Sequence, residues 1–141
     1  MKIKLIESWY NEKDGISYAK ITTDYGEFEG WASLHEEDED IASKYAGCQY
    51  AEQRAVLKYI KFRIRILAYQ IKALINCQNQ MEGRVAYNRN GVESRALRKQ
   101  IFILQKEKKD WQSRYDSLNK KLLDSMNSRR EIINKIKEDK K

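Results

Sequence analysis

The chain has 141 residues, 35% of them charged, 41% hydrophobic and 11% aromatic, a composition that describes one soluble domain with room for one core. No apolar run approaches the roughly 18 to 20 residues needed to cross a bilayer, and the opening MKIKLIESWYNEKDG lacks the apolar stretch of a secretory signal, so a cytosolic protein is expected. The net charge of +7 is uneven: residues 1–41 carry 4 Lys/Arg and 11 Asp/Glu, net −7, and residues 42–141 carry 24 and 10, net +14, a basic body that suits an anionic partner such as nucleic acid, a nucleotide or a membrane surface.

The acidic head reads as a short antiparallel meander. KIKLIESWY, ISYAKITT and EFEGWASL are rich in Ile, Tyr, Trp, Thr and Phe, and the turn signals NEKDG and DYG separate them. In the first run Ile3, Leu5 and Trp9 are expected on one side, and in the third Phe28, Ala32 and Leu34. Three strands alone are marginal, so the sheet needs something to pack on. HEEDED then places five acids where a helix is expected to begin, charge that complements a helix N-terminus; the DxDxDG spacing of a calcium loop is absent.

Proline is absent, where average usage of about 5% predicts roughly seven, so long helices are expected. From about residue 39 a four-three pattern runs through Ile41, Tyr45, Cys48, Ala55, Tyr59, Phe62, Ile66, Tyr69 and Ala73, with Glu52 its polar member. A second row, Val56, Ile60, Leu67, Ile71 and Leu74, lies beside it, and Leu57, Ile64 and Ile75 extend the apolar surface. Such a helix is too apolar for one partner to cover. A second helix follows through Leu97, Ile101, Leu104, Trp111, Tyr115, Leu118, Leu122, Ile132 and Ile136, interrupted by Lys108 and Arg129. The expected organisation is an α+β chain of one domain overall. A small N-terminal antiparallel sheet (1–38) precedes a long antiparallel helical hairpin (about 39–80 and 93–137), and the hairpin zips into an oligomer, a dimer or an assembly of dimers. Cys48 and Cys77 fall on one helix, about 43 Å apart at about 1.5 Å per residue, too far to bond, and buried free thiols are expected.

Catalytic parts are few. There is one histidine, His35, and no GxSxG, GxxxxGK[ST], CxxC or HxxxH, so neither an enzyme nor a structural zinc site is expected, and no cofactor is implied. Anion binding has better support. The segment 78–95 between the helices loses the apolar period, and it and the following turn hold Arg84, Tyr87, Asn88, Arg89, Asn90, Arg95 and Arg98. Guanidinium groups grip phosphate oxygens in pairs, an aromatic ring stacks on a base, and Asn reads its polar edge. Asn90 or Ser94 is a candidate cap, and the helix N-terminus adds backbone donors. On the first helix Arg54 and Lys58 join the candidate ligand-binding residues, and Arg63 or Arg65, set in an apolar stretch, is expected partly buried against Glu52 or a ligand. For each of these residues the plain alternative is a solvated side chain or a plug for the turn.

An acidic sheet of about forty residues, then EDEDIASKYAGCQYAEQRAVLKYIKF leading one long helix, a polar loop and a second long helix, resembles the type-one Thoeris anti-defence family of phage proteins over essentially the whole chain. The resemblance implies a sponge that captures the cyclic ADP-ribose type signal of bacterial TIR-domain enzymes without cleaving it, in the host bacterial cytoplasm. It also implies assembly through the helices and pockets between subunits lined by aromatic, asparagine and arginine side chains, which the sheet region helps to close. Some members also hold cyclic oligonucleotides at separate sites. The other readings are a small basic phage inhibitor that binds a host defence protein or nucleic acid, which calls for one continuous exposed basic stripe, and a structural coiled-coil adaptor.

Overall fold

The computed structural model describes residues 2–33, 44–83 and 91–139. In chain order these form strands β1 (Ile3–Asn11), β2 (Ile16–Thr23) and β3 (Gly26–Ser33) and helices α1 (Lys44–Glu82) and α2 (Val92–Asp139). The protein is therefore α+β, a three-stranded antiparallel sheet in the order β1-β2-β3 followed by two long helices. The chain divides into two compact units. One comprises Met1–Tyr59 with Asp116–Lys141, the other Ile60–Tyr115.

Both hairpin turns follow their sequence signals. Gly15 takes a positive φ of 67° and its N–H donates to the Asn11 carbonyl at 2.9 Å, while the Asn11 and Asp14 carboxamide and carboxylate oxygens accept from the backbone of Lys13 and Ile16. In the second turn Gly26 has φ 112°, and the Thr23 hydroxyl donates to the Gly26 carbonyl and accepts from the Tyr25 N–H.

The sheet buries one face, and it does so with small residues. Along β2, Ser17, Ala19, Ile21 and Thr23 are buried and the residues between them are half-exposed; along β3, Gly30 and Ala32 are buried. Against them lie Gly47, Ala51 and Ala55 of α1. A Cβ on Gly30 would overlap the Ala51 carbonyl oxygen and come within 2.5 Å of the Ala55 nitrogen, and one on Gly47 would strike the Ser17 hydroxyl. Backbone thus approaches backbone, and Phe28 against Tyr59, ring centroids 5.4 Å apart and tilted 59°, adds bulk beside the contact. In the same unit the Tyr50 hydroxyl lies 3.5 Å from the Ser125 carbonyl of α2, and Leu122 is buried.

β1 departs from expectation. A bulge between Ile3 and Leu5 places Ile3 opposite Thr23, on the buried side, while Leu5 faces Thr22 and Trp9 faces Tyr18 on the outer side. Ile3, Leu5 and Trp9 therefore do not share a face, and Leu5 and Trp9 are exposed. Leu34 and the acidic run at 35–40 lie outside the described residues, as does Ile41.

In the unit 60–115, Ile60, Leu67 and Ile71 of α1 and Ile101 and Trp111 of α2 are buried, with Leu74, Leu97 and Leu104 half-buried. The second row of α1 thus forms this core. The first row is buried at Ala55 and Tyr59, in the unit that contains the sheet, but Tyr69 is 68% exposed and Ala73 is also exposed. The physical reason is the change of partner along α1: the sheet takes one stripe, and α2 takes the other. The expected inward face of α2 holds through Leu122, with Lys108 and Arg129 half-buried on it, and gives way at the exposed Ile132.

Candidate functional site

The opening of α2 is set by Gly91, whose carbonyl accepts the Arg95 N–H at 3.0 Å and so makes Gly91 the capping residue. Ser94 is not the cap: it sits inside the first turn and is buried. Glu93 supplies the acidic charge that a helix start favours. Arg95 is exposed and Arg98, one turn on, is half-buried. The other members of this set, Arg84, Tyr87, Asn88, Arg89 and Asn90, lie outside the described residues.

Arg54 has protein partners. Its Nη1 donates to the Trp31 carbonyl at 2.7 Å, and Nη2 lies 3.8 Å from the Met126 sulfur. It therefore ties the free edge of β3 to α1 and α2. Lys58, one turn on, is exposed. Arg54 and Lys58 belong to one unit and Arg95 and Arg98 to the other.

Arg63 is the partly buried arginine, with its side chain 15% exposed, and Arg65 is exposed. Its anionic partner is Glu107 of α2, at 3.7 Å, not Glu52, which lies about 16 Å away along the same helix at about 1.5 Å per residue. The Arg63 guanidinium also stands 5.2 Å from the centre of the buried Trp111 ring, and that of Arg114 stands 5.1 Å from it. Two cations on one indole contribute about 0.5 to 2 kcal/mol each. The Trp111–Arg114 spacing of three along one helix was legible in the sequence; the Arg63–Trp111 contact required the pairing of the two helices.

The outer face of the sheet holds an arrangement that spacing alone did not reveal. Register places Trp9, Tyr18 and Trp31 side by side across the strands, and Trp9 stacks on Tyr18 with centroids 5.7 Å apart and planes 16° from parallel. The Tyr18 hydroxyl donates to the Asp14 carboxylate at 3.0 Å, a bond that holds its proton above the ordinary tyrosine value. The next rows are charged, with Lys20 between Glu7 at 3.9 Å and Glu27 at 3.7 Å.

Among the described residues no group of three or more His, Cys, Asp or Glu side chains could hold a metal ion. Cys48 is half-buried and Cys77 exposed, both as free thiols, so neither is the fully buried thiol expected. No described helix is long and apolar enough to cross a membrane. No protein-family model, curated protein or solved structure matches this chain.

Proposed function

We propose that the protein captures a cyclic ADP-ribose type nucleotide, holds it as a homo-oligomer and releases it chemically unchanged, which in an infected cell would block TIR-based bacterial immunity. The observation that carries this reading is the opening of α2. Arg95 is exposed in the first turn of the helix, beside backbone donors that the helix leaves unsatisfied, and the sequence shortly before it supplies Arg84, Tyr87, Asn88 and Asn90. A diphosphate takes charge-assisted hydrogen bonds from guanidinium and helix-end N–H groups, and a purine takes a stacking ring and an amide. The resemblance to type-one Thoeris anti-defence proteins supplies the ligand class. Support for assembly comes from apolar side chains that a single copy leaves in water on both helices, Tyr69, Phe102, Ile103 and Leu123 among them.

The test is capture and release. The protein is mixed with the cyclic signal, freed of unbound ligand, heated, and the supernatant analysed. Intact signal supports the reading, and a linear or hydrolysed product shows an enzyme.

One observation favours a second reading. Lys61, Arg65 and Lys72, all in the unit 60–115, are exposed and follow one another at helical spacing along α1, which makes a stripe suited to a phosphate backbone. Binding to duplex or single-stranded nucleic acid that falls steeply with salt would support it.

A further inference from the structure

The outer face of the sheet presents an aromatic ring and a carboxylate side by side. Trp31 and Glu29 are two residues apart on β3, so both lie on that face, about 6.7 Å apart at the usual strand rise. Trp31 is 53% exposed, and Glu29 is exposed as well. Elsewhere in the protein one guanidinium bridges the same two groups. Arg63 stands 5.2 Å from the centre of the Trp111 ring and 3.7 Å from the carboxylate of Glu107, one helical turn before Trp111. Side chains one turn apart have Cβ atoms about 5 to 6 Å apart, close to the spacing of Glu29 and Trp31. A guanidinium seated over Trp31 therefore reaches Glu29 as well. Arg54 does not do this, because it donates to the Trp31 carbonyl and lies against the Met126 sulfur. Among the described residues Glu29 has no ion pair and no cation stands over the Trp31 ring.

We propose that this face binds an arginine-bearing segment of another protein, with one guanidinium seated over Trp31 and paired to Glu29. The charge that selects the occupant survives the pairing within the sheet. Three carboxylates, Glu7, Glu27 and Glu29, share the face with one ammonium, Lys20, which is divided between Glu7 at 3.9 Å and Glu27 at 3.7 Å. A net negative charge remains, which attracts a cationic segment and repels a phosphate backbone. Arginine is favoured over lysine because its planar fork covers a ring and grips a carboxylate together. The neighbouring rings are already ordered, since Tyr18 stacks on Trp9 and bonds to Asp14, so little side-chain entropy is lost there on binding. A second copy suits the face less well. It would offer one of its helix arginines to the sheet, a head-to-tail contact that repeats as a chain or ring instead of closing as a dimer. Trp31 and the opening of α2 belong to different units, so the failure of this proposal and the failure of nucleotide capture are separate results.

The test follows the three indole N–H signals of the full chain by NMR, with Trp31→Phe to assign one of them. The probe is the capped peptide Gly-Arg-Gly-Arg-Gly, and its lysine counterpart is the control. The Trp31 signal is expected to shift and saturate with the arginine peptide, while that of the buried Trp111 stays in place. The lysine peptide is expected to bind several-fold more weakly. Glu29→Gln is expected to weaken the arginine peptide about tenfold, the loss of one charge-assisted bond, with an unchanged unfolding midpoint because Glu29 is exposed. A Trp31 signal that does not saturate, equal binding of the two peptides, or equal binding by Glu29→Gln overturns the proposal. A Trp31 shift produced by raising the protein concentration alone also overturns it, in favour of a second copy. The same shift produced by cellohexaose and not by the peptide overturns it in favour of a neutral glycan.

Discussion

At Gly30 a hydrogen atom is all that fits between β3 and the backbone of α1. Gly30→Ala gains a little strand propensity, but its methyl group meets the Ala51 carbonyl and the Ala55 nitrogen, which cannot rotate away. Overpacking wins, and a loss of about 1 to 3 kcal/mol is expected, read as a lower midpoint in thermal unfolding. Ser17→Ala, in the same contact, is expected to cost nothing or to stabilise slightly, since the buried Ser17 hydroxyl has no hydrogen-bond partner. Arg54→Met removes the donor to Trp31 and is expected to cost about 1 to 2 kcal/mol and to speed hydrogen exchange along β3. Tyr18 gives a pH signature. Its bond to Asp14 raises the folded value above the unfolded one, so its contribution is complete below the ordinary tyrosine range and is lost as pH rises through the folded value. Asp14→Asn should return the Tyr18 ring titration, followed by NMR, toward the ordinary value. Sequence showed Ala32, Phe28 and Ala55 as inward residues but not Gly30, Gly47 or Ser17, because hydrophobic patterning marks large side chains and this interface depends on their absence. Nor did it assign Arg54 to Trp31, a contact 23 positions apart that depends on how the sheet docks.

At the scale of elements, the strands and helices were legible because each carries its own period and its own stops: Gly15 and Gly26 supply the positive-φ positions of the two turns between strands, and no proline interrupts a helix. The bulge in β1 was not legible. Its one extra residue moves Ile3 to the opposite face from Leu5 and Trp9, and nothing in KIKLIESWY marks where it falls. The two apolar rows of α1 were visible together, but which row meets α2 depends on the sheet taking the other. Trp111 is the anchor of the unit 60–115. Trp111→Ala is expected to cost about 3 to 5 kcal/mol in denaturant unfolding, as for other buried tryptophans. Glu107→Gln leaves the packing and removes the anion facing Arg63; with Glu107 about half exposed, a loss near 1 kcal/mol is expected, smaller in high salt.

For the whole molecule, the proposed ligand capture and assembly rest on the charge division between residues 1–41 and 42–141 and on the apolar residues left in water. Arg95→Ala should weaken ligand capture about tenfold or more, the loss of one charge-assisted hydrogen bond of roughly 1.5 to 3 kcal/mol, while leaving the unfolding midpoint unchanged, because Arg95 is exposed. Calorimetry on the folded variant measures it. Tyr87→Ala, with a stacking contact of about 1 to 3 kcal/mol at stake, should behave alike. Sequence offered the basic and aromatic residues between 84 and 98 as one stretch, but a site shared between copies, as proposed above, would join residues that no single chain's periodicity connects. The most direct measurement is native mass spectrometry of the protein after incubation with the cyclic ADP-ribose type signal. An oligomer is expected, carrying ligand whose mass, after release, equals that of the intact signal. A ligand-free monomer at low micromolar concentration, or a released product altered in mass, would contradict it.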